Sequence, residues 1–249
     1  MRAALVATLA LGCGGGGAAH APSWRPTPGT TWQLQLSGTV DPTLPVAIYV
    51  VDLADTPDHV LAALRARNTR VICYFSAGTH EAYRDDVKAL PAAVVGKTLP
   101  AWPDERWLDV RAEPVRALVR ARLDLAVARR CDGVDPDNVD AHVNDSGFPL
   151  TAADQLAFSR FLASEAHKRG LAVGLKNDVD HAAQLVDAFD WALVEECAQY
   201  GECDKLEPFV AAGKPVFRVE YGESCPPPRR GFSTILKRLE LDAPRVACP

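Results

Sequence analysis

Apolar positions along the chain follow two alternating patterns. Short, nearly continuous runs rich in Val, Ile and Leu recur at 46–53, 70–77, 106–110, 133–137, 171–177, 191–196 and 215–221, with a brief closing run at 245–248. Runs of this kind are expected of strands buried on both faces. Between them lie segments with a helical stripe. Thr56-Pro57 opens a predicted helix through Ala66, a proline being well suited to a first turn. Pro114 opens a second, reaching Arg130, with Val115, Leu118, Val119, Leu123 and Val127 on one face. Thr151 caps a third that runs to Arg169 and is closed by Gly170. Eight strands with helical crossovers predict an α/β fold, a single (β/α)8 barrel of the TIM type, and 249 residues suffice for one. No Gly-rich phosphate loop follows the first strand, which disfavours a doubly wound nucleotide-binding sheet.

The N-terminus interrupts this regularity. Met1-Arg2, the apolar run Ala3 to Leu11 and the tract Gly14 to Gly17 describe a secretory signal too short to span a bilayer. Leu9-Ala10-Leu11-Gly12-Cys13 is similar to a bacterial lipoprotein box, in which the cysteine becomes the lipidated first residue; cleavage near Ala19 or Ala21 is the alternative. Residues 1–22 are thus read as export segment and Gly-rich tether, and residues 23–249 as the barrel. The expected location is secreted or lipid-anchored at the bacterial cell envelope, with membrane contact only through Cys13. Once Cys13 is set aside, six of the 7 cysteines remain, an even set that fits an oxidising compartment. Cys197 and Cys203 are spaced to bridge a loop, Cys225 can reach Cys248, and Cys73 and Cys131 read as buried thiols. The 6 histidines are scattered and no cysteine pair has zinc spacing, so no metal or other cofactor is expected. A formal net charge of -5 offers no field for phosphate backbones, so nucleic acid is not an expected partner; a monomer is.

In a barrel the chemistry gathers at the C-terminal ends of the strands. Those ends here carry Asp52, Ser76, Asp109 with Arg111, then Asp135, Asp137, Asn138 and Asp140. Lys176, Asn177, Asp178, Glu195, Glu196, Glu220 and Tyr221 complete the set. An Asp after a strand is often only a cap, but that reading is weakest for acids inside an apolar run. Asp135 and Asp137 share parity and project to one side, while Glu195 follows Ala192-Leu193-Val194 directly. Two carboxylates across a barrel mouth are the minimum for glycosidic cleavage, one protonating the leaving oxygen and the other attacking the sugar or activating water. The residues alone reach an acid-rich barrel hydrolase and no sharper substrate.

Trp32-Gln33-x-Gln35-Leu36-Ser37-Gly38, Val71 to Gly78 and Arg106-Trp107-Leu108-Asp109 resemble motifs of glycoside hydrolase family 114. So do Pro136-Asp137-Asn138-Val139-Asp140, Gly174 to Asp178, and Glu195-x-Cys197 with Tyr200 and Cys203. The resemblance spans about Trp32 to Cys248 and implies an endo-α-1,4-polygalactosaminidase, a barrel that cuts galactosamine-containing polysaccharide. It implies Asp137 and Glu195 as the catalytic pair, the two that burial logic also selects. Asp137 is assigned as nucleophile or base, and Glu195 as acid because desolvation by its apolar neighbours would keep it protonated. Substrate contacts are expected from Asp52, Tyr74, Asp109, Asp135, Asn138, Lys176, Asp178, Glu220 and Tyr221, the acids attracting a cationic amino sugar. Trp32, Tyr74, Trp107 and Tyr221 are candidate flat faces for sugar rings or ammonium groups. Two alternatives stand beside this reading: a non-catalytic polysaccharide-binding surface lipoprotein, and a barrel hydrolase for another glycan.

Overall fold

A computed structural model describes Pro22 and residues 24–249. Cys13 and the cleavage sites near Ala19 and Ala21 lie outside the described residues. Eight strands run parallel in the order β1 (Trp32–Gln35), β2 (Ile48–Asp52), β3 (Arg70–Ser76), β7 (Gly133–Asp137), β8 (Ala172–Lys176), β9 (Trp191–Glu195), β10 (Val216–Glu220) and β11 (Phe232–Leu236). A two-residue strand, β12 (Val246–Ala247), adds antiparallel to β11.

The sheet curls until its ends meet. Trp32 of β1 packs at a tilt against Phe217 of β10, ring centroids 5.0 Å apart, and its indole N–H donates to the carbonyl of Ser233 on β11. Between β1 and β11 there is no ladder; the C-terminal segment fills the seam. Lys237 there donates to the carbonyls of Asp242 and Pro244 and to Gln33, while Leu36 and Ser37 both donate to the carbonyl of Leu241. Alternation along the strands then sorts the apolar residues into two layers. Leu34, Ile48, Val50, Ile72, Trp191, Leu193, Phe217, Val219 and Ile235 fill the interior. Val51, Val71, Cys73, Phe75, Val134, Val173 and Val194 face outward into a larger cluster.

That outer layer is covered by helices whose apolar stripes match it. α1 (Asp58–Ala66) buries Val60, Leu61 and Leu64; α2 (Glu113–Ala128) buries Val115, Leu118, Val119 and Leu123; α3 (Ala152–Lys168) buries Phe158, Leu162 and Ala166. Thr151 caps α3 through a reciprocal box with Asp154, as its position in the sequence predicts. The crossovers flanking β9 are abbreviated to α4 (Ala182–Leu185) and α5 (Glu207–Ala211). Among the described residues no helix is long and apolar enough to cross a membrane.

Three expectations require correction. The run at 106–110 does not join the barrel: β6 (Trp102–Leu108) pairs antiparallel with β4 (Thr79–Glu81) and β5 (Val95–Leu99) in a separate three-stranded sheet beside the mouth. Its place among the eight parallel strands is taken by β1, and the closing parallel strand is 232–236 rather than 245–248. Cys73 and Cys131 are not thiols but a disulfide, joining β3 to the turn before β7 across 58 residues. The Cys197–Cys203 and Cys225–Cys248 bridges occur as expected, and three disulfides fit an oxidising compartment.

Candidate active site

A cleft of about 760 Å³ opens over the C-terminal ends of the parallel strands. Its floor is one layer of inward-facing side chains: Tyr74 from β3, Asp137 from β7, Lys176 from β8, Glu195 from β9 and Tyr221 just past β10. Lys176, almost fully buried, is the pivot. Its ammonium donates to Asp137 Oδ2 at 2.9 Å and lies 3.1 Å from Glu195 Oε2. Burial works against that charge, but the fields of Asp137, Glu195 and Asp135 outweigh it and hold Lys176 well above the usual lysine range. The two carboxylate oxygens sharing this cation are therefore no further apart than 2.9 plus 3.1 Å.

Further donors converge on the same carboxylates. Asp137 Oδ1 accepts from the Asn138 backbone N–H at 2.7 Å, and Oδ2 also accepts from the Tyr74 hydroxyl at 3.1 Å. Tyr221 donates its hydroxyl to Glu195 Oε1. Burial and the neighbouring carboxylates raise both phenols far above the ordinary tyrosine value, so both remain donors. Asn177 Oδ1 accepts from the Glu195 backbone N–H at 3.0 Å, tying the end of β9 to the end of β8.

The backbone that presents these groups is unusual. Asn138, Asn177, Asp178 and Glu196, the first one or two residues beyond a strand, have φ of 58°, 49°, 44° and 59°. The chain turns sharply off the sheet there, in a left-handed conformation that Asn and Asp tolerate better than most residues. Gly78 permits one of these turns: a Cβ on it would lie 1.8 Å from the Asn138 carbonyl oxygen.

Around the floor the lining is acidic. Asp52, Asp55, Glu105, Asp140, Asp178, Asp180, Glu196, Glu202 and Glu240 join Asp137 and Glu195, against only Arg84 and Lys176. Several are already engaged. Asp52 accepts from the backbone N–H groups of Ala54 and Asp55 and pairs with Arg84 at 2.5 Å; Asp178 Oδ1 accepts from Gln155 and pairs with His181. Burial raises Asp140, Asp178 and Glu105 above the usual carboxylate range. Asn138 donates to Ser76, whose hydroxyl pairs with Thr79, which in turn donates to Glu105. Three aromatic side chains stand exposed at the rim: Tyr83, Trp102 and Tyr200.

The structure thus brings Asp137, Glu195, Asp52, Tyr74, Asn138, Lys176, Asp178 and Tyr221 into one cleft. It does not bring three others there. Asp109 follows β6 of the side sheet and closes on Arg111 at 2.8 Å. Glu220 has the outward parity of β10 and accepts from the Ala198 N–H at 2.8 Å, behind the sheet. Asp135 points inward with Asp137 but one layer lower, fully buried beneath the floor. Trp32 and Trp107 are core residues, not sugar platforms. Nor is Glu195 deeper than its partner, for the side chains of Asp137 and Glu195 are 18% and 19% exposed, so burial does not separate acid from nucleophile. Glu105, Tyr83 and Trp102 went unread because the side sheet carries them to the mouth, and no local pattern announces that excursion. Among the described residues one cluster, Cys197, Cys203 and Glu220, has metal-like spacing, but its sulfurs are joined to each other.

An eight-stranded parallel barrel with paired carboxylates on its floor is an architecture that glycoside hydrolysis can use. The chain belongs to glycoside-hydrolase family GH114, whose model matches residues 16–249. It is similar to Aspergillus fumigatus Ega3, solved in complex with galactosamine: 37% identity over 93% of this chain and 100% of that one, with a TM-score of 0.86. The glycoside hydrolase domain of PelA from Pseudomonas aeruginosa shares the fold at 15% identity, covering 88% of this chain and 98% of that one, with a TM-score of 0.67. No curated protein sequence matches the chain.

Proposed function

We propose that this glycoside hydrolase cuts α-1,4-galactosaminidic bonds within galactosamine-containing polysaccharide, with Asp137 and Glu195 as its catalytic pair. The observation that carries the reading is the Asp137–Lys176–Glu195 constellation on the floor of an acid-lined cleft. The galactosamine complex of the Aspergillus fumigatus relative supports the substrate class. An ammonium-bearing sugar polymer also suits a cleft in which acids far outnumber cations, because such a field concentrates cationic substrate.

The upper limit on carboxylate separation favours double displacement. Retaining glycosidases hold their carboxyls about 5–5.5 Å apart, whereas inverting ones need about 6.5–9.5 Å to admit a water. Asp137 attacks the anomeric carbon while protonated Glu195 gives its proton to the departing glycosidic oxygen, leaving a glycosyl-aspartate. Glu195, now a carboxylate, takes a proton from water, which attacks the same carbon and releases Asp137. The three donors on Asp137 suit it to be the group that carries negative charge into and out of the covalent step.

Asp137→Asn and Glu195→Gln should each keep the melting temperature and lose activity by about 10²–10⁴-fold or more. Azide should restore cleavage of an activated substrate by Asp137→Ala, with inverted product. Rescue of Glu195→Ala in that manner instead would exchange the two roles, and full activity in either amide variant overturns the mechanism. Hydrolysis of glucosamine polymer in preference to partly deacetylated galactosamine polymer would overturn the substrate. Export completes the proposal, with a mature chain that begins at or after Cys13, either lipidated there or secreted. Mass spectrometry that finds Met1 intact in the exported protein would contradict it.

A further inference from the structure

Beneath the reactive floor lies a carboxyl with no polar partner. Asp135 is fully buried, and neither of its oxygens accepts a hydrogen bond from the described residues. On one side β3 places Tyr74 opposite it. On the other, continuing the Val134–Val173 register brings Gly174 level with it, and a Cβ there would lie 2.1 Å from the indole nitrogen of Trp191. Ile72, Leu193 and Val219 belong to the same interior layer. A carboxylate stranded among such groups is costly to ionise. The charged and titratable groups that face it are Asp137 on β7, Lys176 on β8 and Glu195 on β9, with the phenols of Tyr74 and Tyr221 above. Burial pushes Asp135 up to about 7; Lys176 opposes that rise, and Asp137 and Glu195 add to it. Three acids therefore compete for one ammonium, and the deepest of them is not among the residues that line the cleft.

We propose that Asp135 is a positioning residue for hydrolysis: while neutral it leaves Lys176 to bridge Asp137 and Glu195, and once ionised it draws that ammonium downward and loosens the pair. This rests on the reading that Asp137 and Glu195 perform the chemistry. Its consequence is a decline in kcat/KM on the alkaline side that belongs to a residue outside the cleft. The decline lies in kcat rather than KM, because Asp135 lines none of the cleft.

The test compares pH profiles of kcat and KM for the full chain with those of Asp135→Asn and Asp135→Leu, both of which fix the site uncharged. Each variant should stay within about threefold of wild type near pH 5.5 and lose the step through about pH 7 that wild type adds to the alkaline limb of the general acid itself. The high-frequency infrared carbonyl band of a protonated carboxyl that makes no hydrogen bond should disappear from the wild type over the same range, and that band should be missing from both variants. An unchanged alkaline decline in a folded variant overturns the proposal. So does equal loss of activity at every pH with an unaltered melting temperature, which would make Asp135 part of the chemistry itself. Should neither variant fold, the wild type decides: a band that persists, or one whose loss is not matched by kcat, is equally fatal. Retained activity in Asp137→Asn and Glu195→Gln would defeat the mechanism while leaving the infrared titration in place, so the two failures are distinguishable.

Discussion

Lys176 shows how one side chain determines what its neighbours can do. Two carboxylates within reach of each other repel, and the buried ammonium between them is what lets both stand on one floor. Lys176→Met should therefore lose activity by about 10²-fold or more and weaken the fold, because the two partly exposed carboxylates are left repelling each other. Kinetics and denaturant melts check the two effects separately. Asp135 makes a second residue-scale prediction, on stability alone. Its folded-state value of about 7 lies above the ordinary carboxyl value of 3.8. Between those two pH values the folded protein keeps a proton that the unfolded chain has released. That group's contribution therefore favours the fold at low pH and is lost as pH rises towards 7. Asp135→Asn does not titrate, so its melting temperature relative to wild type should climb from about pH 4 to about pH 7 and level off above that. A constant difference would contradict the burial argument.

Among the elements, the turns beyond β7, β8 and β9 carry the function and the strands carry the turns. Gly78 approaches the turn after β7 so closely that a methyl group there must displace the Asn138 carbonyl, and with it the backbone of Asp137. Gly78→Ala should cost about 1–3 kcal/mol, as overpacking does, and reduce kcat by an order of magnitude or more. Crystallography of the variant would show whether Asp137 has moved off Lys176. At the seam, the segment after β11 serves two roles, since Lys237 and Leu241 tie it to β1 while Leu239, Glu240 and Leu241 form one wall of the cleft. The Cys225–Cys248 bridge anchors the far end of this segment across 23 residues. Replacing both cysteines with serine should lower stability by about 3 kcal/mol and raise KM more than it lowers kcat, because a wall is loosened and the floor is not. A change in kcat with KM untouched would place the effect elsewhere.

For the molecule as a whole, the consequence of its charge is concentrated in one place. The formal net charge is only -5, yet eleven acids face a single cleft. If the cleft gathers a polycation, KM should rise several-fold between low salt and about 0.3 M salt while kcat holds, since screening shortens the field to a few ångströms but leaves the buried floor untouched. A KM indifferent to salt would argue for recognition by the rim aromatics Tyr83, Trp102 and Tyr200 instead.

The sequence by itself determined the parallel barrel, the acids at its mouth and two of its three disulfides. Continuous apolar runs ending in Asp52, Asp137, Lys176 and Glu195 leave few other ways to bury a sheet on both faces. It could not assign 106–110 to the barrel or to the side sheet, because apolar residues look alike in either and only pairing with residues distant in the chain decides. The four-residue β1, with Gln33 and Gln35 in it, and β11, with Ser233 and Thr234 in it, were too polar to stand out as strands. Parity put Asp135 and Asp137 on one side of β7 and Glu220 at a strand end, but depth and facing are properties of the closed barrel. Two residues of travel along a strand carry a carboxyl from the reactive floor into the apolar layer below it. Only the tertiary structure shows which acids share a cation, which meet solvent and which are sealed away.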